Sequence, residues 1–295
     1  MFRKLVAVAV LFMFSFSSLA FAAGQEMTIL DKVSAVEKFF YGVEQTGALV
    51  ERVNKLDRDV YGEESHDSLA GKVDKLYTNV KSTSVDAPSF LLRLNAVEWA
   101  LNHNVTNQPA KNRLEGVEHT LFGNVTEGPY ETRLEKLLTV SYTDGILNVN
   151  QTTIPMDMLI KIKMVTPVGS KNSRTGDVFV YQAAQDVYVN GVLVISQGAQ
   201  GTGKVLKVEQ AKNFGRDGEL QLNFDSVDAI DGTALPVLLG DKAKEENKSL
   251  ATAAGASLAG MAILGPIGIV GEPLFTAKMS IFLPEQNSTF KLRAS

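Results

Sequence analysis

Apolar residues recur through the first half of the chain with a period close to twenty. Val33, Val53, Val73, Leu94, Leu114 and Leu134 are separated by 20, 20, 21, 20 and 20 residues. Three residues after each stands Val36, Leu56, Leu76, Val97, Val117 or Leu137. Four before each stands Ile29, Leu49, Leu69, Phe90, Ala110 or Tyr130. Phe40, Val60, Val80, Leu101 and Leu121 extend the first five copies by another turn. Positions spaced in this way share one face of an α-helix of about three turns. Ser68 and Ser89 precede two of the stripes as N-caps, and Gly42, Gly62 and Gly123 follow an aromatic residue where a left-handed C-cap would end the helix. One such helix cannot bury its stripe alone, so the pattern predicts an array of short helices over residues 24–140.

A base directly precedes each of Val33, Val53, Val73, Leu94, Leu114 and Leu134: Lys32, Arg52, Lys72, Arg93, Arg113 and Arg133. This phasing has two readings. A row of bases, with Arg52, Lys72, Arg93, Arg113 and Arg133 as contact residues, would face an anionic wall polymer such as peptidoglycan. Alternatively each base pairs with an acid of its own or the next repeat, such as Glu37, Asp57, Glu98 or Glu118; the excess of acids in this segment favours pairing. The run Leu49-x-x-Arg52-Val53-x-x-Leu56-Asp57-x-x-Val60-Tyr61-Gly62 is echoed by Arg113-Leu114-x-x-Val117-Glu118-x-x-Leu121-Phe122-Gly123. It resembles short helical repeats of bacterial cell-envelope proteins, over about residues 29–138. The resemblance implies an envelope role and brings no chemistry with it.

After Leu138 the helical stripe stops, and 141–154 reads as a linker into a β-domain over 155–295. Asn190-Gly191 between Asp177–Val189 and Val192–Ile195 is a hairpin signal, because both central positions of a type I′ turn need positive φ. Met158–Val165, Gly203–Val208, Glu219–Phe224, the runs flanking Asp231-Gly232, and Leu274–Leu283 complete the strands. Six to eight strands without crossover helices predict a mostly antiparallel β-barrel or sandwich. The expected class is therefore α+β in separate domains.

Within the β-half, Ser249–Gly271 runs for 23 residues without a charge. Gly255, Gly260 and Gly265 recur every five, with Leu258, Met261, Ile263 and Leu264 among them. The length would span a bilayer, but Pro266 and the many small residues weaken insertion. The segment is expected to form an Ala/Gly-rich helical insertion that contacts a membrane or packs within the protein or on a second copy. Val165-Thr166-Pro167-Val168, Gly176-Asp177-Val178, Asp186-Val187-Tyr188, Gly191, Ile195-x-x-Gly198-x-x-x-x-Gly203 and Asp231-Gly232 are similar to the C-terminal β-barrel of the type IV secretion scaffold that spans the envelope. In that family a helical insertion at a similar place touches the outer membrane, which implies the same for Ser249–Gly271. This chain departs from the family in its N-terminal signal and in having helical repeats where the family has a proline-rich spacer.

The N-terminus supplies an address. Arg3 and Lys4, the apolar run Leu5–Phe16 and the small residues Ala20-x-Ala22 read as a signal peptide over 1–23, which places the protein in the periplasm or outer envelope. Net charge −4 over 295 residues argues against nucleic-acid binding, and the lack of cysteine removes disulfides, thiolate metal sites and thiol nucleophiles. Gly198–Val205 nearly matches a phosphate-binding loop, but Val205 stands where the metal-binding hydroxyl belongs. Asp225, Asp228 and Asp231 lack calcium-loop spacing, and His66, His103 and His119 lie in different repeats. Trp99 sits beside the stripe, as core or inter-helix packing in preference to a sugar platform. These features predict a non-enzymatic envelope protein without cofactor or metal, acting on other envelope proteins or on itself. A peptidoglycan-binding module and a wall hydrolase are the alternatives.

Overall fold

The computed structural model describes residues 27–155, 158–169, 173–209, 219–238, 261–266 and 276–282. Among the described residues of the first half there are six helices: α1 Ile29–Tyr41, α2 Leu49–Tyr61, α3 Leu69–Lys81, α4 Phe90–Asn102, α5 Ala110–Phe122 and α6 Tyr130–Ser141. Their boundaries follow the repeat. Ser68 Oγ accepts from Gly71 N–H and Ser89 Oγ from Leu92 N–H, while Gly42, Gly62 and Gly123 close α1, α2 and α5 in the left-handed conformation. Thr28 adds a reciprocal cap with Asp31 at the start of α1.

Successive helices pack on one another, as the twenty-residue step requires. The chain also curls, so that α1 meets α3 and α5, and α6 meets α2 and α4. The stripes therefore share a single core, in which Phe40 lies 5.1 Å from Phe90 and stacks at 5.1 Å on Tyr130. The C-caps of the first two repeats lodge against prolines four repeats on. A Cβ on Gly42 would come within 2.6 Å of Pro109 Cγ, and one on Gly62 within 2.7 Å of Pro129 Cγ.

A buried carboxylate repeats with the helices. Glu37, Asp57, Glu98 and Glu118 each stand five residues after the base of their own repeat. Each accepts the backbone N–H eight residues on: Gln45 (2.9 Å), Ser65 (2.7 Å), Thr106 (2.9 Å) and Thr126 (3.1 Å). Each also meets the base of the following repeat: Arg52 (2.6 Å), Lys72 (3.8 Å), Arg113 (2.7 Å) and Arg133 (2.8 Å). One side chain thus fixes both the loop and the next helix. Above it, Lys55 covers the Tyr41 ring, Lys75 the Tyr61 ring and Lys136 the Phe122 ring, at 4.3, 4.6 and 4.7 Å.

The pattern breaks once, between the third and fourth copies, where the spacing is 21. Tyr77 occupies the acid position, Lys81 the aromatic position, and Ser82 ends α3 without a left-handed cap. Arg93, without an acid behind it, reaches forward to Glu131 at 2.8 Å. The ladder also ends within the module, since Lys32 pairs with Asp74 and the acid position of the sixth copy is Leu138.

The second half is antiparallel β-structure. Strands β1 Val149–Thr153, β2 Ile160–Met164, β3 Val178–Ala183, β4 Val187–Val189, β5 Val192–Ile195, β6 Gln200–Glu209, β7 Glu219–Asp228, β8 Ala234–Leu238, β9 Met261–Pro266 and β10 Thr276–Phe282 form two sheets. One runs β1-β10-β5-β4; in the other, β2-β3-β6-β7-β8-β9 are hydrogen-bonded in cyclic order, the β8–β9 seam being only two residue pairs long. Asn190 (φ 54°) and Gly191 (φ 78°) make the expected hairpin turn between β4 and β5. The near phosphate-loop is strand instead: a Cβ on Gly201 would lie 2.3 Å from the Tyr181 ring, and one on Gly203 2.4 Å from Phe179. These glycines admit the aromatic cluster of Phe179, Tyr181 and Phe224.

Two expectations need correction. The stretch 141–154 is not wholly a linker, because Val149–Thr153 pairs with β10 as an edge strand. The Ala/Gly-rich segment is not a helix along its length either, because Met261–Pro266 pairs antiparallel with β2. A short apolar run fits strand and helix equally well by periodicity, and here β2 supplies the hydrogen bonds that decide it.

Removing one member of a rung leaves a buried charge uncompensated. Glu118→Gln is expected to cost about 3 kcal/mol of unfolding free energy, whereas Glu118→Leu with Arg133→Leu costs less, because no unpaired charge is left and the remaining loss is the acceptor of the Thr126 N–H. Lys72→Arg, which brings a second donor toward the unpartnered Asp57 Oδ1, is expected to stabilise by about 1 kcal/mol in denaturant titration.

Candidate functional site

The fourth repeat differs from the others in having apolar residues on two faces. Phe90, Leu94 and Val97 enter the helical core, while Leu92, Ala96 and Trp99 enter the core of the β-half together with Val105 from the following loop. A helix apolar on both sides must be covered on both sides. Here the second cover is made by the β3–β4, β5–β6 and β7–β8 turns.

Polar groups at this seam are matched across it. Asn95 Nδ2 donates to Ile230 O at 2.6 Å, and its Oδ1 accepts from Arg113 Nη2 at 2.6 Å, so the Glu98–Arg113 rung continues into the β-half. Trp99 Nε1 donates to Asp186 Oδ2 at 3.0 Å, while Asp186 Oδ1 takes the Gln197 N–H at 2.7 Å. Val105 N–H donates to Gln197 O at 2.9 Å, and Tyr142 OH to Ala96 O at 2.8 Å. Close approach depends on Gly198 (φ 85°) and Gly232 (φ 83°). A Cβ on the first would lie 2.3 Å from Val105 O, and one on the second 2.3 Å from Leu91 Cδ2.

Two acids of the β7–β8 turn lie in this buried region. Desolvation pushes the Asp228 carboxyl up to about 7, an effect that Lys81 opposes and Asp231 reinforces. Burial likewise raises Asp231, against the Thr233 N–H it accepts, and lowers Lys81 at the end of α3. The break in the repeat thus puts a cation near the half-buried Asp228, which the buried Asp231 also faces. Among the described residues no three His, Asp or Glu side chains are grouped to hold a metal ion.

The bases singled out in the sequence do not form an open row. Arg52, Lys72, Arg93, Arg113 and Arg133 have side-chain exposures of 11, 10, 14, 4 and 7% and stand in ion pairs. In the four rungs the partner is the acid of the preceding repeat. Arg133 also borders an open cleft of about 460 Å³, with Arg58, Asp59, Lys111, Pro129 and Tyr130. Of the residues marked for membrane or oligomer contact, Met261, Ile263, Leu264 and Gly265 lie in β9, opposite Lys163, Lys161, Ile160 and Leu238. Gly255, Leu258 and Gly260 lie outside the described residues. No described helix is long and apolar enough to cross a membrane.

Asn95 belongs to no motif, and Asp186, Gly198 and Gly232 stand in runs whose family resemblance and near phosphate-loop pattern give no sign of a seam with the helices. The legible signal was the excess of apolar residues in one copy, Leu92 and Ala96 beside the stripe, together with Trp99. Comparison of the chain with protein-family models, curated proteins and solved structures finds no match.

Gly198→Ala is expected to loosen the seam by about 2 kcal/mol or more, through left-handed strain plus the clash with Val105. Gly176→Ala, also at positive φ but with nothing within 4 Å, carries the strain term alone. Unfolding followed separately by Trp99 fluorescence and by helical circular dichroism distinguishes the two, splitting into two transitions only for Gly198→Ala. A carboxyl raised in the folded state contributes stability that is lost as pH rises through its folded value. The Asp228 contribution is therefore expected to fall between about pH 4 and pH 7, and Asp228→Asn to flatten that part of the stability–pH curve.

Proposed function

We propose that the chain is a non-enzymatic, exported protein of the cell envelope that acts by assembly. In this reading a six-helix repeat module is held against a small β-barrel, and the pair presents surfaces to other envelope proteins or to copies of itself. The observation that carries the reading is the use of the repeat polar groups. The phased bases and acids join helix to helix, and one rung continues through Asn95 to the Ile230 carbonyl. Such a network sets the relative position of two domains, which is what a spacer or docking protein needs. Support for the address comes from Arg3, Lys4, the apolar run after them and Ala20-x-Ala22. Contact with a membrane or a second copy through 249–271 would fall to the residues before β9, since Met261–Pro266 already lies between β2 and β8.

Cell fractionation tests this reading. The expected result is recovery of the chain, shortened at its N-terminus, in the envelope fraction and in a complex larger than its own 31.9 kDa. Deletion of 249–260, which leaves β9 in place, is expected to release it to the soluble envelope fraction. A cytoplasmic monomer would sink the proposal.

A further inference from the structure

The fourth and fifth repeats share one template, yet only the fourth has its outer face covered. In the fourth, Trp99 stands six residues after Arg93 and donates its ring N–H to Asp186. Its loop, Asn104-Val105-Thr106, is pinned by the Thr106 N–H to Glu98 and lies on the β5–β6 turn. In the fifth, His119 stands six residues after Arg113, and the loop reads Asn124-Val125-Thr126. Thr126 N–H donates to Glu118 at 3.1 Å, so the two loops are held alike. The surroundings differ. Val105 is 5% exposed, whereas Val125 is 47% exposed. His119 and Asn124 are exposed, and Gly116, at the phase of Ala96, would meet nothing within 4 Å if it carried a Cβ.

We infer that this face of the fifth repeat is an interaction surface for a β-turn of a partner protein, one that carries a carboxylate. The partner follows from what covers the equivalent face one repeat earlier. There the β5–β6 turn offers the Gln197 carbonyl to the loop N–H of Val105, and Asp186 of the β3–β4 turn, fixed against it by the Gln197 N–H, offers a carboxylate to the Trp99 ring N–H. A neutral imidazole also presents one ring N–H, and a protonated one presents two, so His119 can serve the same carboxylate as Trp99 does. The smaller Gly116 lets a polar turn approach closely, while Lys111, at the phase of Leu91, is already paired with Glu115 at 3.7 Å, so His119 is the donor left for the partner's carboxylate. The surface is continuous with the seam. A second copy of this chain is a poor occupant, because its own turn at Gly198 is already closed by its fourth repeat. The inference rests on the assembly reading and specifies the kind of partner.

The test places a photoreactive amino acid at Val125 of the full chain in its native cells, with Val85, also exposed and in a loop, as control. The expected result is a light-dependent adduct at position 125 and not at 85, whose partner peptide maps to an acid-bearing β-turn. His119→Ala with Asn124→Ala should reduce the adduct at least about tenfold without lowering the unfolding midpoint, since both side chains are exposed. No adduct beyond that of the control, or an adduct to a helix, a glycan or a lipid, overturns the inference. An adduct in a chain that fractionates away from the envelope would uphold this surface and sink the envelope reading; an envelope-located chain without the adduct would do the reverse.

Discussion

The helical half depends on one carboxylate that does two tasks at once. Glu37, Asp57, Glu98 and Glu118 are each nearly inaccessible, and each accepts a loop N–H while facing the cation of the next helix. A buried ion pair alone is weak support for stability, because desolvation of both ions offsets their attraction. The loop N–H changes this balance. It satisfies a lone pair that would otherwise be orphaned and sets the direction in which the chain leaves each helix. The Asp57–Lys72 rung is the loosest of the four, at 3.8 Å, and it has the one rung oxygen without a partner.

From that constraint the rest of the architecture follows. Regular rungs give regular steps, and the curl of the helices closes the stripes into one core around Phe40, Phe90 and Tyr130. The one irregular step, at Tyr77 and Lys81, coincides with the place where α4 turns a second apolar face to the β-half. The seam is held by turn glycines and by a few directional hydrogen bonds, and the acids of the β7–β8 turn lie dehydrated near it.

The helices, their caps at Ser68 and Ser89, and the Asn190-Gly191 turn were legible from residue spacing, because each rests on local chemistry that a single stretch of chain contains. The acids that pair with the phased bases were legible too, but not the sense of the pairing. Which neighbouring repeat supplies the acid depends on how the chain leaves one helix and enters the next. Val149–Thr153 and Met261–Pro266 were misread for a related reason. Each becomes a strand through a distant partner, β10 or β2, that its own composition does not announce. The seam was the least legible, since Asn95 and Ile230 meet across 135 positions of chain.

Leu138 sits where four of the other copies carry an acid. A seventh copy grafted after the sixth would bring its base to a leucine, the situation that Arg93 meets behind Tyr77 and escapes by reaching forward to Glu131. At the end of the array no later copy offers such an acid, so lengthening by tandem duplication asks for a carboxylate at position 138 or a new forward partner.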